Sequence, residues 1–205
     1  MAKKKKSKEK SSKKDETPGG AAIVSAMERL ARLARAAEHE DGLNPAQWEA
    51  LRYLSRANRL SNSPGALTRY LGATKGTISQ TVIALERKGL VGKAVRENER
   101  RSVVLTLTEK GQEQLARDPW LKLAHAIEEL GGKTRRRLGR GLVTLLTQEL
   151  QRGSHASFGS CPSCRFYRER GRDSEETGPH LCMLIDQPLS EAETAKICIE
   201  HQTAP

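Results

Sequence analysis

The residues of this chain best suited to chemistry are its four cysteines, Cys161, Cys164, Cys182 and Cys198, which all fall in the last quarter with the spacing C-x2-C-x17-C-x15-C. A C-x2-C turn presents two sulfurs to one centre, because the short loop lets both side chains point inward. Cys182 follows a Gly-Pro turn in "TGPHLCMLI", and Cys198 is expected on a short helix, "SEAETAKICIEH", opened by a capping box from Ser190 to Glu193. Together the four thiols are candidate ligands of one metal centre. His180 and His201, which flank Cys182 and Cys198, are read as neighbours of that centre, since four cysteines already complete a tetrahedral set. Zinc and a [4Fe-4S] cluster both accept all-sulfur ligation, and the spacing leaves both open, because a zinc ribbon has two C-x2-C knuckles where this chain has one. The competing reading is a metal-free pair of redox-active thiols.

Catalysis is the weaker use of these groups. A nucleophilic Cys161 would need His155, His180 or His201 as base, yet the sequence carries no nucleophile elbow, phosphate loop or zinc-hydrolase helix. An enzyme is therefore not expected.

The elements that must position the thiols come from a chain of 205 residues with 36% hydrophobic, 30% charged and 3% aromatic content. That composition suits one helical main domain with additions, and no apolar run reaches the roughly 18 to 20 residues that would span a bilayer. The N-terminus is charged from Lys3 and shows no secretory signal, so the chain is expected in a reducing cytoplasm, where disulfides are disfavoured. Much of the net charge of +11 lies in the opening "MAKKKKSKEKSSKKDETPGG". Residues 1–20 lack hydrophobic periodicity and read as a disordered basic tail, either a solubilising arm or a non-specific phosphate-binding one.

Helical periodicity starts at Ala21, with Ile23, Met27, Leu30 and Leu33 on one face, and stops at Gly42 and Pro45. A second helix follows over "PAQWEALRYLSRA", with Trp48, Leu51 and Leu54 inward, and a third over "SPGALTRYLG" ends at Gly72. In "ATKGTISQTVIALERKGL" Thr74 caps a fourth helix, Ile78, Val82 and Leu85 form its buried stripe, and Gly89 stops it. Its other face presents Lys75, Thr77, Ser79, Gln80 and Thr81, short polar groups able to reach base edges and phosphates. The alternating "LVGKAVRENERRSVVLTLT" then reads as two antiparallel strands around a charged turn. Helices followed by a basic-tipped hairpin make a mainly α winged helix-turn-helix, with the fourth helix for the major groove and Arg100 and Arg101 of the wing for the flanking minor groove.

Residues 44–111 closely resemble the MarR family of bacterial transcriptional regulators, on the ordered features "LNPAQWEALRYL", "TKGTISQTVIALERKGLV" and "NERRSVVLTLTEKG". Members usually carry aspartate before the two wing arginines, where this chain has Glu99. The resemblance implies an obligate homodimer that reads a pseudo-palindromic site on double-stranded DNA. It also leaves a place for a small-molecule effector between the dimer and winged regions. Leu121, Leu123, Ile127, Leu130, Leu138, Leu142, Leu145, Leu146 and Leu150 agree, as an apolar stripe beyond what a small winged domain needs for itself. Arg135, Arg136, Arg137 and Arg140 read as a solvated face or a DNA-backbone contact. The expected organisation is thus a tail over 1–20, a winged and dimerisation region over 21–152 whose core stands separate, and a metal-binding extension over 153–205 with too few large apolar side chains to stay folded by burial alone. That extension is faintly similar, over about 40 residues, to high-potential iron–sulfur proteins, which share one C-x2-C, two later single cysteines and an aromatic after the first pair, here Phe166.

Overall fold

The structure is a computed structural model that describes residues 18–39, 42–96, 99–153, 158–171 and 178–204. Most of the basic tail expected over 1–20 lies outside these residues. Helix α1 (Gly20–Ala36) runs into a 3-10 turn at Ala37–His39. Helix α2 (Pro45–Arg56) begins where the sequence supplies both a proline and a cap: Asn44 Oδ1 accepts from the Gln47 amide at 2.9 Å, and Gln47 Oε1 accepts from the Asn44 amide at 3.3 Å. Such a reciprocal cap satisfies two donors that a helix start otherwise leaves unpaired, and contributes about 1 kcal/mol. Helix α3 (Pro64–Leu71) is capped by Ser63 and ended by Gly72 at φ 61°. Helix α4 (Lys75–Arg87) is capped by Thr74, and the chain leaves it through Gly89 at φ 70°.

The hairpin pairs β1 (Val91–Arg96) with β2 (Glu99–Leu107), in register from Val91↔Leu107 to Val95↔Val103, with an irregularity between Val95 and Arg96. Trp48, Leu51, Tyr53, Leu67, Ile78, Leu85 and Leu105 are wholly buried and form one core shared by α2, α3, α4 and the hairpin. Tyr53 reaches through this core to donate to the Ser61 carbonyl at 2.7 Å, and the Leu105 amide donates to the Asn62 carbonyl at 2.7 Å. The turn between α2 and α3 is thereby tied to the wing.

Helices α5 (Glu109–Leu115), α6 (Trp120–Glu128) and α7 (Gly132–Arg152) follow. A polar joint holds α1 and α6 on α2. Arg52 donates to both carboxylate oxygens of Asp118, at 2.6 and 2.7 Å, and to Glu38 at 2.8 Å. Its guanidinium lies 5.6 Å from the Trp48 ring and 5.3 Å from the Trp120 ring, and the Trp120 indole donates to Glu38 at 2.8 Å. Burial works against the Arg52 charge, but the hydrogen bonds from Asp118 and Glu38 outweigh it and hold the pKa above its usual value. By contrast, no residue of α6 or α7 is buried, and Val24, Leu33, Val143 and Leu146 are among the apolar side chains that α1 and α7 leave exposed. None of the described helices is long and apolar enough to cross a membrane.

The cysteines lie in a lobe built from a three-stranded antiparallel sheet, β3 (Tyr167–Arg168), β4 (His180–Cys182) and β5 (Gln187–Leu189), and the single turn of α8 (Glu191–Thr194). Gly178 lets the chain enter β4 at φ 107°, and a side chain there would strike the Leu189 carbonyl at 2.4 Å. Contrary to the expectation of a separate winged core, that core does not stand apart from this lobe, because the lobe is docked on the winged unit. Ala57 forms a parallel bridge with Ile197, in which the Asn58 amide donates to Ile197 O at 2.9 Å and the Ile197 amide to Arg56 O at 2.7 Å. Phe158, Ile197 and Ile199 pack against the winged core, with Phe158 set edge-on to Tyr53 and Tyr70 at centroid distances of 6.2 and 5.0 Å. The physical reason is size: among the lobe's described residues only Leu189 and Cys161 are buried apolar side chains, too few to hold a fold alone.

Candidate nucleic-acid interface and thiol cavity

Helix α4 exposes Lys75, Thr77, Ser79 and Gln80 and buries Ile78, Val82 and Leu85. Thr81 departs from the expectation. Its side chain is 8% exposed, because at about 100° per residue it falls beside Ile78, Val82 and Leu85 on the core stripe, and it is removed from the outward face. The Thr77 hydroxyl lies 2.9 Å from the Thr74 hydroxyl, so the start of the helix is tightly laced. No acidic residue occupies the first turn, which leaves its amide dipoles and Lys75 to favour an anion. Lys93 of β1 joins Lys75 and Ser79 along a groove between α3 and α4. Arg100 and Arg101 belong to β2, but their side chains lie outside the described residues.

In the lobe all four cysteines are free, and all four line one small pocket with little more room than a water or two would take. Three separate segments bring them there. Cys161 opens a 3-10 turn ending at Ser163, and the Cys164 amide closes that turn on Cys161 O at 2.8 Å. Cys182 ends β4, paired with Tyr167 of β3 and Gln187 of β5. Cys198 bridges to Gly159, with its amide donating to Gly159 O at 2.9 Å. This corrects the expected position of Cys198: the capping box from Ser190 to Glu193 is present, but α8 stops at Thr194 and the cysteine lies beyond it. A four-residue helix lets the chain turn back toward the first cysteine pair.

Leu60, Phe166, Leu184, Ile185 and Leu189 make much of the cavity wall apolar. Burial pushes the Cys161 thiol up to about 11, with the other three sulfurs adding to the shift, and burial also raises Cys198. Among the described residues no three His, Cys, Asp or Glu side chains form a group suited to a single ion. Neither histidine lines the cavity. The buried His180 receives the Arg170 amide on Nδ1 at 3.2 Å, has the Tyr167 hydroxyl 2.8 Å from the same nitrogen, and points Nε2 at Glu191, 3.0 Å away. His201 sits over Gly159, with Nε2 2.9 Å from the Ser163 hydroxyl, and burial lowers its pKa. Both fix the lobe's backbone from outside the ring of sulfurs.

Two features escaped sequence reasoning. The Arg52 joint links residues 66 apart in the chain, with no local pattern to announce it. The bridge at Ala57 that docks the lobe is built from backbone groups, which every sequence possesses.

Residues 41–102 match the family model described as MarR family. Among solved structures the chain is similar to a MarR transcriptional regulator from Methanosarcina mazei Go1, at 22% identity over 64% of this chain and 98% of that one, with a TM-score of 0.53. A MepR variant of S. aureus from a multidrug-resistant clinical isolate gives 17% identity over 65% and 98%, with a TM-score of 0.53. The S. aureus MepR–DNA complex gives 17% over 65% and 99%, with a TM-score of 0.50. These likenesses establish a mostly helical winged helix-turn-helix fold. No curated protein matches the chain.

Proposed function

We propose that this chain is a sequence-specific, homodimeric DNA-binding transcriptional regulator of the cytoplasm, with a metal centre, zinc or [4Fe-4S], on Cys161, Cys164, Cys182 and Cys198. The observation that carries the DNA reading is α4, with Lys75, Thr77, Ser79 and Gln80 outward beside a two-stranded wing, in the stretch that matches the MarR family. MepR, which shares the fold, is known bound to DNA. Dimerisation is supported by α6 and α7, which hold no fully buried residue in one chain and expose Leu121, Leu138, Leu142 and Leu146. Covering such a stripe is the ordinary source of stability for paired helices. A small-molecule effector would enter the cleft where Arg35 and Trp120 face Tyr70 and Leu71, between α1 and α6 on one side and α3 on the other.

The metal reading is supported by four free thiols facing one cavity. The alternative reading is a metal-free switch in which oxidation of Cys161 and Cys164 changes dimer geometry and releases DNA. The decisive experiment selects a preferred duplex from random DNA and compares its binding with competitor DNA for the parent, Gln80→Ala and Ser79→Ala. Each lost base contact should reduce discrimination by about 1 to 3 kcal/mol. Unchanged discrimination in both variants would place another element in the groove. A parent with no preferred duplex at all would leave an unspecific architectural DNA binder.

A further inference from the structure

The turn that joins α2 to α3, residues 57–63, contains neither glycine nor proline, and its buried polar groups must find partners outside regular structure. Ser61, at 0% exposure, uses every polar atom it has. Its amide donates to the Asn58 carbonyl at 3.0 Å, and its own carbonyl accepts from the Tyr53 hydroxyl at 2.7 Å. Its hydroxyl donates to Asn58 Oδ1 at 2.7 Å and accepts from the Ile199 amide at 2.8 Å. The first three bonds stay within α2 and the turn. The fourth comes from the lobe, 138 residues further along the chain.

The lobe grips the same turn at two further points. The Asn58 amide donates to the Ile197 carbonyl at 2.9 Å, and the Arg59 guanidinium donates to the Pro188 carbonyl at 3.0 Å and lies 3.6 Å from the Glu193 carboxylate. The next two residues carry the tie onward. Asn62 accepts the Leu105 amide of β2 on its carbonyl at 2.7 Å, and Ser63 caps α3 by accepting the Ala66 amide on its hydroxyl at 3.2 Å. Helix α3 packs in turn on α4, and the groove between them is lined by Lys75, Ser79 and Lys93. A turn held by the lobe on one side therefore sets the base of the wing and the start of α3 on the other.

We infer that Ser61 is a positioning residue for DNA binding: the lobe fixes Ser61 through the Ile199 amide, and Ser61 fixes the turn from which Asn62 sets the base of the wing and Ser63 the start of α3. This rests on the DNA-binding reading and is independent of what the thiols bind. Without the hydroxyl, the Ile199 amide loses its partner in a buried setting, while Asn58 Oδ1 keeps only the Leu60 amide, at 3.1 Å. The lobe then slackens its hold on the turn. Wing and α4 no longer meet a duplex in one fixed arrangement, and part of the binding free energy is diverted to ordering them.

The test follows residue-resolved amide hydrogen exchange in the full chain for the parent, Ser61→Ala and Arg59→Ala, together with affinity for the preferred duplex. In Ser61→Ala the amides of Leu105, Ala66 and Ile199 should gain about tenfold more in exchange rate than those of Leu51 and Leu54 inside α2. Affinity for the preferred duplex should fall about tenfold, with the slope of log affinity against log salt unchanged because no charge is removed. Parent-like exchange at Leu105 and Ala66 overturns the inference. Equal acceleration of every amide also overturns it, since Ser61 would then be a packing residue alone. Faster exchange confined to the turn and its neighbours, with unchanged affinity, overturns the role in DNA binding. Arg59 is exposed, so Arg59→Ala leaves no space in the core. It should speed the same amides by a smaller factor, and its exchange decides the lobe's hold on the turn where Ser61→Ala does not fold. The exchange measurement contains no DNA, so its failure is distinct from failure of the DNA-binding reading.

Discussion

The winged unit and the cysteine lobe sit side by side in one chain and are held together by different physics. The winged unit closes a core of large side chains at essentially zero exposure, Trp48, Leu51, Tyr53, Leu67, Ile78 and Leu85 among them. Burying each such side chain is worth about 1.5 to 3 kcal/mol, so apolar packing dominates this unit. The lobe has strands of two or three residues, a helix of one turn, and a buried set in which His180, Thr194 and His201 outnumber the apolar members Leu189 and Cys161. It is a folded surface around a ring of sulfurs, leaning on a neighbour. A segment of that kind can respond to what its thiols bind because its own packing does not decide its state.

The largest expected effect separates the two regions from the winged side. Leu67→Ala should destabilise the whole chain by about 2 to 5 kcal/mol, because the site is fully enclosed and cannot collapse around the loss. In urea unfolding the winged unit and the lobe should shift together. A lobe that kept its parent midpoint while the winged unit lost stability would show that it folds without its neighbour.

Phe158→Ala tests the contact itself. Phe158 is half-buried and meets Tyr53 and Tyr70 edge-on, contacts worth about 0.5 to 1.5 kcal/mol each beyond area burial. The variant should expose the lobe to limited proteolysis beyond about residue 158 and leave a resistant fragment that ends near Gly153. Equal resistance to protease in variant and parent would transfer the docking entirely to the Ala57–Ile197 bridge.

The smallest effect is at the wing tip. Arg101→Ala should reduce the slope of log affinity against log salt by about one unit, through the loss of one phosphate-compensating charge, and weaken binding most on A·T-rich flanks. Arg100→Ala should change it less. Fold and stability should be untouched, and an unchanged slope would remove the wing from the interface.

The same contrast explains what could be read from the sequence. Helices α2, α3 and α4 announce themselves through Asn44, Ser63 and Thr74 at their starts and Gly72 and Gly89 at their ends, because caps and stops are local chemistry. The outward set on α4 was legible except for Thr81, a small polar residue that the core accommodates and that polarity alone assigns to the surface. The convergence of four cysteines was legible from type and spacing. The path of the chain between them was not, since the Ser190 capping box marks where α8 starts and nothing nearby marks its end at Thr194. Docking of the lobe rests on the amides and carbonyls of Arg56, Asn58 and Ile197, groups common to every residue.

The hydrogen bond from Leu105 to the Asn62 carbonyl joins the wing to the turn that walls the thiol cavity. Two sites that share one turn exchange free energy in both directions. Were a metal on the thiols and DNA on the wing both to act through that turn, whatever loading imposed on DNA affinity, DNA would impose on the grip of the cavity. A coupling of 1 to 3 kcal/mol corresponds to about 5- to 150-fold in either quantity. The protein on its operator and the protein free in solution would then differ in how long each keeps its metal centre, so genomic occupancy would itself set the lifetime of the signal.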